Sequence, residues 1–179
     1  MSRADDTELV KQCINGDRQA FESLLVKYQK PVFNAAYRML HSAEDAKDVT
    51  QTVFLKVYEN LDKYDPKHRF FSWIYRIAMN ESIDCLGRIN RTEPIEDELE
   101  DQGRGPELET DGELLKSQLQ AALMNVKPEY RTVIVLKHFL ECSYEEIGEI
   151  LAIPEKTVKS RLYTGRQLLK DLLTGRDVH

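Results

Sequence analysis

The sequence predicts an all-α protein built from two small helical domains that a flexible acidic linker joins. Apolar residues recur at spacings of three and four on both sides of the middle, and no stretch shows convincing β-type alternation. This periodicity stops between residues 89 and 112. We therefore expect an N-terminal domain at 1–88, a linker at 89–112 and a C-terminal domain at 113–179, the last containing a helix-turn-helix.

The first two predicted helices are marked by their ends. A short apolar stripe closes at Asn15 and Gly16, which form a typical stop signal, and Asp17 is a suitable N-cap for the second helix. The second stripe continues across Pro31, whose ring removes a backbone donor and clashes with the preceding turn. We expect a kink or a break in the helix at this proline.

Two more helices complete the predicted N-terminal domain. Ser42 is the expected N-cap of the third, and Asp65-Pro66 marks a loop after it, because a residue before proline avoids the helical region. The fourth helix should run from about Phe71 to Arg88. Residues 64–76, which run from this loop into the fourth helix, interleave five aromatic rings with four basic side chains, and from the residues alone these rings are either ordinary core or a surface for a flat ligand.

The net negative charge of the chain is concentrated in its middle, in and just after the predicted linker. Residues 89–116 contain ten acidic and three basic side chains, whereas 1–88 balance and 117–179 are slightly basic. Like-charge repulsion and scarce apolar area leave little to offset the entropy of ordering such a segment. The net charge of −6 therefore does not exclude a nucleic-acid partner, since each flanking half can carry a basic face.

The C-terminal half has the parts of a helix-turn-helix. Ser143 and Glu146 form a predicted capping box that opens a short helix ending near Leu151. A tight Ala152-Ile153 turn follows, and Pro154 suits the first position of a longer helix.

The last helix separates apolar from basic residues. Between Pro154 and Lys170 there are five basic side chains and a single acidic one, Glu155. A lysine-rich solvated face on an ordinary terminal helix would have this composition, but the capped short helix and tight turn before it favour a recognition helix that binds DNA.

Several other classes of protein have little support. The sequence has no phosphate-binding glycine loop, no HExxH or CxxC ligand set and no nucleophile motif, so we predict no enzymatic activity, no cofactor and no metal site. Three widely spaced cysteines favour reduced thiols. No apolar run approaches the ~20 residues that would insert into a membrane, and the N-terminus has no signal-peptide core, which predicts a cytoplasmic protein.

The motifs, in their order, resemble a known family. GDRQAFESLLVKYQKPVFNAAYRML, EDAKDVTQTVFLKVYENLDKYD and FFSWIYRIAMNESIDCLGR precede SYEEIGEILAIP and TVKSRLYTGRQLL. Together they are similar to the two-domain, extracytoplasmic-function (ECF) branch of bacterial sigma factors, over nearly the whole chain outside the linker. The resemblance implies a sigma factor that binds RNA polymerase core, recognises promoter DNA and promotes initiation of transcription, commonly under the control of an anti-sigma factor.

The resemblance also implies three sets of site residues. The third helix would bind the clamp coiled coil of polymerase through Asp48, Gln51, Thr52, Phe54 and Val57, with Thr52 standing where the pattern commonly has glutamate. The loop and helix after it would open the minus-ten region and capture an unstacked base through Lys63, Tyr64, Lys67, His68, Arg69, Trp73, Arg76 and Asn80. The last helix would bind the minus-thirty-five element through Lys156, Thr157, Lys159, Ser160, Arg161, Tyr163 and Arg166.

Physical chemistry is consistent with the minus-ten assignment. Proteins that hold single-stranded DNA need flat aromatic faces for the bases and cations for the backbone. Within this stretch we assign Phe70, Phe71 and Ile74 to the core. The alternative function is a stand-alone helix-turn-helix regulator that needs no core polymerase, but it leaves the aromatic and basic loop without a role.

Overall fold

All regular structure in the described residues, 3–92 and 111–175, is helical in the computed structural model. The N-terminal half contains α1 (Arg3–Ile14), α2 (Arg18–Leu40), α3 (Ala43–Glu59), a 3₁₀ turn (Leu61–Lys63) and α4 (Phe70–Thr92). The C-terminal half contains α5 (Asp111–Met124), α6 (Pro128–His138), α7 (Tyr144–Leu151) and α8 (Glu155–Thr174). The all-α prediction is confirmed. Over the same described ranges, no helix is both long and apolar enough to cross a membrane.

The predicted helix ends in the N-terminal half are largely confirmed. Gly16, just after the end of α1, adopts a positive φ of 92°, a conformation that stops the helix from continuing. The Asp17 carboxylate accepts a hydrogen bond from the Gln19 N–H at 2.9 Å, and the Ser42 hydroxyl accepts one from the Asp45 N–H at 3.2 Å. Each cap satisfies a backbone donor that has no partner inside its helix.

The structure decides against a break at Pro31, one of the two predicted outcomes there, and it moves the end of α4. Helix α2 runs through Pro31 without ending, and the buried side chains of Tyr28 and Val32 anchor it on either side of the proline. Helix α4 continues past Arg88 to Thr92, because the partly buried Ile89 still packs against the core. Helix α5 begins at Asp111, so only 93–110 of the predicted linker lie outside the described residues.

The N-terminal core forms where α2, α3 and α4 pack against one another, with α1 across one end. Its largest fully buried side chains come from α2 and α4: Leu24, Met39, Phe70, Ile74, Tyr75 and Met79. Burying each such side chain contributes about 1.5–3 kcal/mol. This core fixes the N-terminal end of α4 relative to the loop that precedes it.

A buried polar contact joins α1 to α2. The Tyr28 hydroxyl donates to Asp6 Oδ2 at 2.7 Å, and the Lys27 ammonium group pairs with the other oxygen of the same carboxylate. Burial and the neighbouring Asp6 carboxylate raise the pKa of Tyr28. The buried carboxylate is thus both hydrogen-bonded and paired with a cation, as a charge away from water requires.

The helix-turn-helix forms as predicted. Ser143 Oγ accepts from the Glu146 N–H at 3.1 Å, while Glu146 Oε2 accepts from the Ser143 N–H at 2.8 Å. Ala152 takes the left-handed conformation with φ of 52° and ends α7. Pro154 is the N-cap of α8 rather than its first residue, a difference of one position from the prediction.

The two halves pack directly on each other. The Arg38 guanidinium donates to Gln120 Oε1 at 2.9 Å, and the Gln120 amide donates back to the Arg38 carbonyl at 3.2 Å. The buried Arg131 on α6 donates to the Met39 carbonyl at the end of α2. A second contact, between α4 and α7, lies at the predicted minus-ten residues and is described next.

Candidate nucleic-acid and polymerase interfaces

The loop between the 3₁₀ turn and α4 has a defined shape. Tyr64 is buried, and its hydroxyl donates to the His68 carbonyl at 2.7 Å across the loop. The Asp65 carboxylate accepts from the Lys67 N–H at 2.9 Å, and the Asp65 carbonyl accepts from the His68 N–H at 3.1 Å. These contacts close a turn on the side of the loop away from the core.

Three aromatic rings support this loop from below. The centroids of Tyr64 and Trp73 lie 5.4 Å apart, and each ring is 5.7 Å from that of Phe70. Phe70 is 2% exposed and Ile74 is fully buried, so both belong to the core as predicted, while Phe71 is half-buried against it. Trp73 keeps part of its ring accessible. Tyr64, by contrast, is a wall of the site rather than a free stacking face.

A small cavity gathers much of the predicted minus-ten set. It encloses about 190 Å³, below the roughly 300–1,000 Å³ of sites for drug-sized ligands. Five of the eight predicted residues line it: Lys63, Tyr64, His68, Trp73 and Arg76. Asn80 is exposed further along α4, and Lys67 and Arg69 are exposed on the loop itself. The sequence-based grouping of an aromatic ring with several cations is therefore reproduced around one cavity.

The same cavity has a wall from the C-terminal half, which sequence reasoning missed. Glu149 on α7 accepts from the Ser72 hydroxyl at 2.8 Å and lies 2.8 Å from His68 Nδ1. Burial alone raises the pKa of Glu149, but the hydrogen bonds from Ser72 and His68, with the charges of His68 and Arg76, leave that pKa below its ordinary value.

Two arginines extend this contact between the halves. The Arg69 guanidinium pairs with Glu146, whose other carboxylate oxygen caps α7. Arg76 donates to the Ile150 carbonyl at 3.3 Å and to the Glu149 carbonyl, both near the C-terminal end of α7. Unpaired carbonyls at a helix C-terminus favour a cation there. In the sequence, this contact was indicated only by the run of glutamates before and on α7, and nothing in that run showed that their partners lie in the N-terminal half.

The predicted polymerase-binding residues on α3 divide into exposed and buried sets. Asp48 and Gln51 are exposed, and the half-buried Thr52 donates its hydroxyl to the Asp48 carbonyl at 3.0 Å. Phe54 is 7% exposed and Val57 is fully buried, so their side chains pack into the core and do not face a partner in this conformation.

Two apolar residues that the sequence reasoning overlooked lie on the exposed side of α3. Leu55 and Tyr58 are 58% and 63% exposed, and they continue the stripe of Asp48 and Gln51 at spacings of three and four. The Tyr58 ring packs edge-on against Phe21 of α2, with centroids 5.2 Å apart. Helical periodicity could have predicted their exposure, because positions on the opposite side of α3 from the buried Val53, Phe54 and Val57 must face outward.

Helix α8 presents most of its predicted DNA-binding residues to solvent. Lys156, Lys159, Ser160, Tyr163 and Arg166 are exposed, and Thr157 and Arg161 are half-buried. The inward side is anchored by Val158, Leu162 and Gly165. The whole predicted set therefore lies on one accessible side of the helix-turn-helix, apart from the two half-buried members.

Two contacts orient cations on or beside this surface. Lys159 Nζ lies 2.6 Å from Glu155 Oε1 one turn earlier, and this hydrogen bond raises the pKa of the lysine. Arg166 Nε donates to His138 Nε2 at 3.2 Å. Burial, followed by the charges of Arg166 and Lys137, lowers the pKa of His138, which keeps its imidazole neutral as an acceptor.

The described residues show no other chemical centre. Within 3–92 and 111–175, no three histidine, cysteine or acidic side chains are arranged to hold a metal ion. Cys85 and Cys142 are buried, Cys13 is half-buried, and all three are free thiols in this structure. The remaining candidate surfaces are thus those on α3, at the α4 cavity and on α8.

Two family models match the chain. A model of Sigma-70 region 2 matches residues 24–92, which include α3 and the N-terminal residues that line the cavity. A model of Sigma-70 region 4 matches residues 116–169, which include α7 and most of α8. The ECF RNA polymerase sigma factor SigW of Bacillus subtilis is 36% identical over 180 residues, covering 92% of this chain and 94% of that protein. The chain belongs to the ECF family of RNA polymerase sigma factors.

Other similarities agree with this membership. The ECF RNA polymerase sigma-E factor of Escherichia coli is 31% identical over 176 residues, which cover 92% of each chain. The solved structure of CnrH in complex with the cytosolic domain of CnrY matches with a TM-score of 0.75 at 25% identity, covering 97% of this chain and 99% of CnrH. The sigma factor therefore functions in promoter-directed initiation with RNA polymerase core, and the alternative of a stand-alone regulator is not favoured.

Proposed function

We propose that the cavity at the start of α4 receives an unpaired base of the minus-ten element. The support is that one aromatic face, Trp73, and the basic side chains Lys63, His68 and Arg76 line the same small space. A base that leaves the duplex needs a receiving pocket to offset the cost of unstacking. Lys67, Arg69 and Asn80 extend the proposed DNA surface beyond the cavity.

The proposed polymerase surface is the outer stripe of α3. Asp48 and Gln51 supply polar contacts, Thr52 lies beside them, and the exposed Leu55 and Tyr58 add apolar area that a partner can bury. Phe54 and Val57 contribute indirectly, since they anchor the helix from the core. The clamp coiled coil of the largest polymerase subunit is the proposed occupant.

Helix α8 is the proposed reader of the minus-thirty-five element. Its exposed and half-buried cations and hydroxyls have the chemistry for base edges and phosphates: Lys156, Thr157, Lys159, Ser160, Arg161, Tyr163 and Arg166. The division of labour is thus residues 1–88 for polymerase and minus-ten binding, 89–112 for the linker and 113–179 for upstream recognition, with α4 and α5 extending a few residues into the linker range.

We further propose an anti-sigma factor as a regulatory partner. The resemblance of the motifs to ECF sigma factors implies such a partner, and CnrH, a structural match over nearly the whole chain, is bound in its structure to a second protein, the cytosolic domain of CnrY. The protein itself carries out no catalysis on this proposal, and it acts in the cytoplasm, where core polymerase is found.

Run-off transcription on a promoter library tests the proposed function. Purified sigma factor and core polymerase are expected to yield discrete transcripts that neither component yields alone. On a native gel, a mixture of the two proteins should give a new band for the complex, and the band of free sigma factor should weaken. The proposal fails if the chain neither binds core polymerase nor directs initiation from any promoter in the library.

A further inference from the structure

The contact between α7 and the start of α4 places acidic groups on the residues proposed to bind DNA. His68, Arg69 and Arg76 each contact a carboxylate or carbonyl oxygen of α7. These oxygens are acceptors, as the oxygens of a DNA backbone would be. The proposed DNA-binding cations are thus occupied within the chain itself.

Glu149 also obstructs the space that a base would enter. Its carboxylate is one wall of the cavity and is held there by Ser72 and His68. A phosphate approaching this wall would meet a negative charge at close range, which disfavours entry of the DNA strand. DNA binding in the cavity therefore requires α7 to move away.

We infer that α7 is an intramolecular competitor of single-stranded DNA for the minus-ten cavity, so that the free sigma factor is closed at this site. The inference rests on the proposed function of the cavity. It assigns Glu146 and Glu149 a role outside the helix-turn-helix, since both are directed at the N-terminal half rather than at promoter DNA.

A second contact holds α7 in this position without involving the cavity. The reciprocal hydrogen bonds between Arg38 and Gln120, and the bond from Arg131 to the Met39 carbonyl, fix α5 and α6 against α2. Exposed ion pairs individually contribute little, so the acidic contact at the cavity can open when DNA or polymerase offers a better one.

The closed arrangement is asymmetric. The exposed cations of α8, such as Lys156 and Lys159, do not take part in the contact between α4 and α7. The free chain is thus closed to a minus-ten strand while its upstream-reading helix stays accessible, which distinguishes this device from one that blocks both DNA surfaces.

The test measures binding of the full chain, without polymerase, to a fluorescein-labelled 20-nucleotide DNA single strand of random sequence. The double variant Glu146→Gln/Glu149→Gln is expected to bind about fivefold or more tightly than the natural chain by fluorescence anisotropy. Glutamine at 146 can still accept the Ser143 N–H, so the cap of α7 is retained. The single variant Glu149→Gln, which leaves the cap residue untouched, should change in the same direction.

The matched control is Glu141→Gln/Glu145→Gln, which removes the same charge from two exposed carboxylates of the same segment. The inference would be overturned if this control gained as much DNA affinity as Glu146→Gln/Glu149→Gln, or if neither double variant gained any. Adding Trp73→Ala to the first double variant separates the two proposals. If Trp73→Ala weakens DNA binding, but the double glutamine variant binds no more tightly than the natural chain, then the cavity is the DNA site and only the competitor role of α7 fails. If it has no effect in any background, the cavity is not the DNA site and both proposals fail.

Discussion

Gly148 and Ile153 approach each other closely at the turn of the helix-turn-helix. The Ile153 N–H donates to the Gly148 carbonyl at 3.1 Å, and a Cβ atom added to Gly148 would lie 2.9 Å from the Ile153 carbonyl oxygen. Since the opposing atom belongs to the backbone, it cannot be displaced by a change of rotamer. The glycine at this position lets α7 end directly beneath the start of α8.

Gly148→Ala is therefore expected to destabilise the protein, although alanine favours a helix. Overpacking against a backbone atom costs about 1–3 kcal/mol, which exceeds the propensity gain. Gly87→Ala is the matched control, because Gly87 lies in α4 and has nothing within 4 Å of an added Cβ. It should stabilise by about 0.5–1 kcal/mol. Urea denaturation of both variants checks this, and equal effects would contradict the close approach.

Trp73→Ala should impair opening of the promoter more than initial duplex binding. A stacked base is worth about 1–3 kcal/mol, so open-complex formation should fall roughly tenfold, as measured by permanganate reactivity of unpaired thymines. Trp73→Phe keeps an aromatic face and should retain most of the activity. The packing of Trp73 on Tyr64 and Phe70 means that the melting temperature must be measured alongside. An alanine variant that is stable and opens promoters normally would refute the assignment.

Lys159→Ala should weaken recognition of the upstream element and leave affinity for core polymerase unchanged. Lys159 is exposed on α8, and losing one base or phosphate contact should reduce upstream-element binding by about tenfold. Lys170→Ala, an equal change of charge later on the same helix, serves as the control. Band shifts with holoenzyme on promoters with and without the upstream element measure the effect. A parallel loss of core affinity in the Lys159 variant would contradict this separation of roles.

Leu55→Asp should lower affinity for core polymerase, because it places a charge in the exposed apolar part of the α3 stripe. A loss of about tenfold is expected by fluorescence titration with core enzyme, with little change in stability. Val26→Asp alters a residue of α2 that is 78% exposed, and it controls for adding a charge elsewhere.

Phe54→Ala should have the opposite profile to Leu55→Asp. Removing this buried ring costs about 3–5 kcal/mol of stability, while the folded fraction should still bind polymerase. Thermal unfolding and polymerase binding, measured on the same preparations, distinguish the two classes of residue. Equal behaviour of the two variants would mean that the exposed and buried sides of α3 are not functionally distinct.

The Cys142 thiol should resist alkylation near neutral pH. Burial, with a smaller contribution from Glu146, raises its pKa to about 12 from the ordinary 9.0. Only the thiolate reacts, so at pH 8 the thiolate fraction of Cys142 is about a thousandfold lower than that of a thiol with the ordinary pKa. The alkylation rate should therefore keep rising with pH beyond 9 instead of reaching a plateau. Iodoacetamide labelling followed by peptide mass spectrometry measures this. The half-buried Cys13 is the internal comparison and should react first.

Local signals in the sequence predicted the helices well, because caps and apolar periodicity act over a few residues. Asp17, Ser42 and the Ser143–Glu146 box all form the predicted hydrogen bonds. Local signals left open whether α2 would break or continue at Pro31, and it continues because packing on both sides of the proline outweighs one lost hydrogen bond. Tertiary burial likewise extends α4 beyond Arg88.

The residue types of the candidate surfaces could be predicted from the sequence, but their spatial arrangement could not. Motif matching selected Phe54 and Val57 with Asp48 and Gln51, although helical periodicity puts the first two residues on the inward side of α3. The grouping of Trp73 with nearby cations depends on neighbours in sequence and was accessible. The contact of Arg69 with Glu146 joins residues 77 positions apart, and no local pattern encodes such a pairing.

The buried guanidinium of Arg131 has a consequence for cooperativity. It donates to the carbonyls of Met124 and Val126 at the end of α5, and to that of Met39 at the end of α2. One side chain thereby caps two helices from different family regions, and separating the regions would strip an acceptor from a buried cation. The free chain should therefore melt in a single calorimetric transition with equal van't Hoff and calorimetric enthalpies, and Arg131→Met should split it into two.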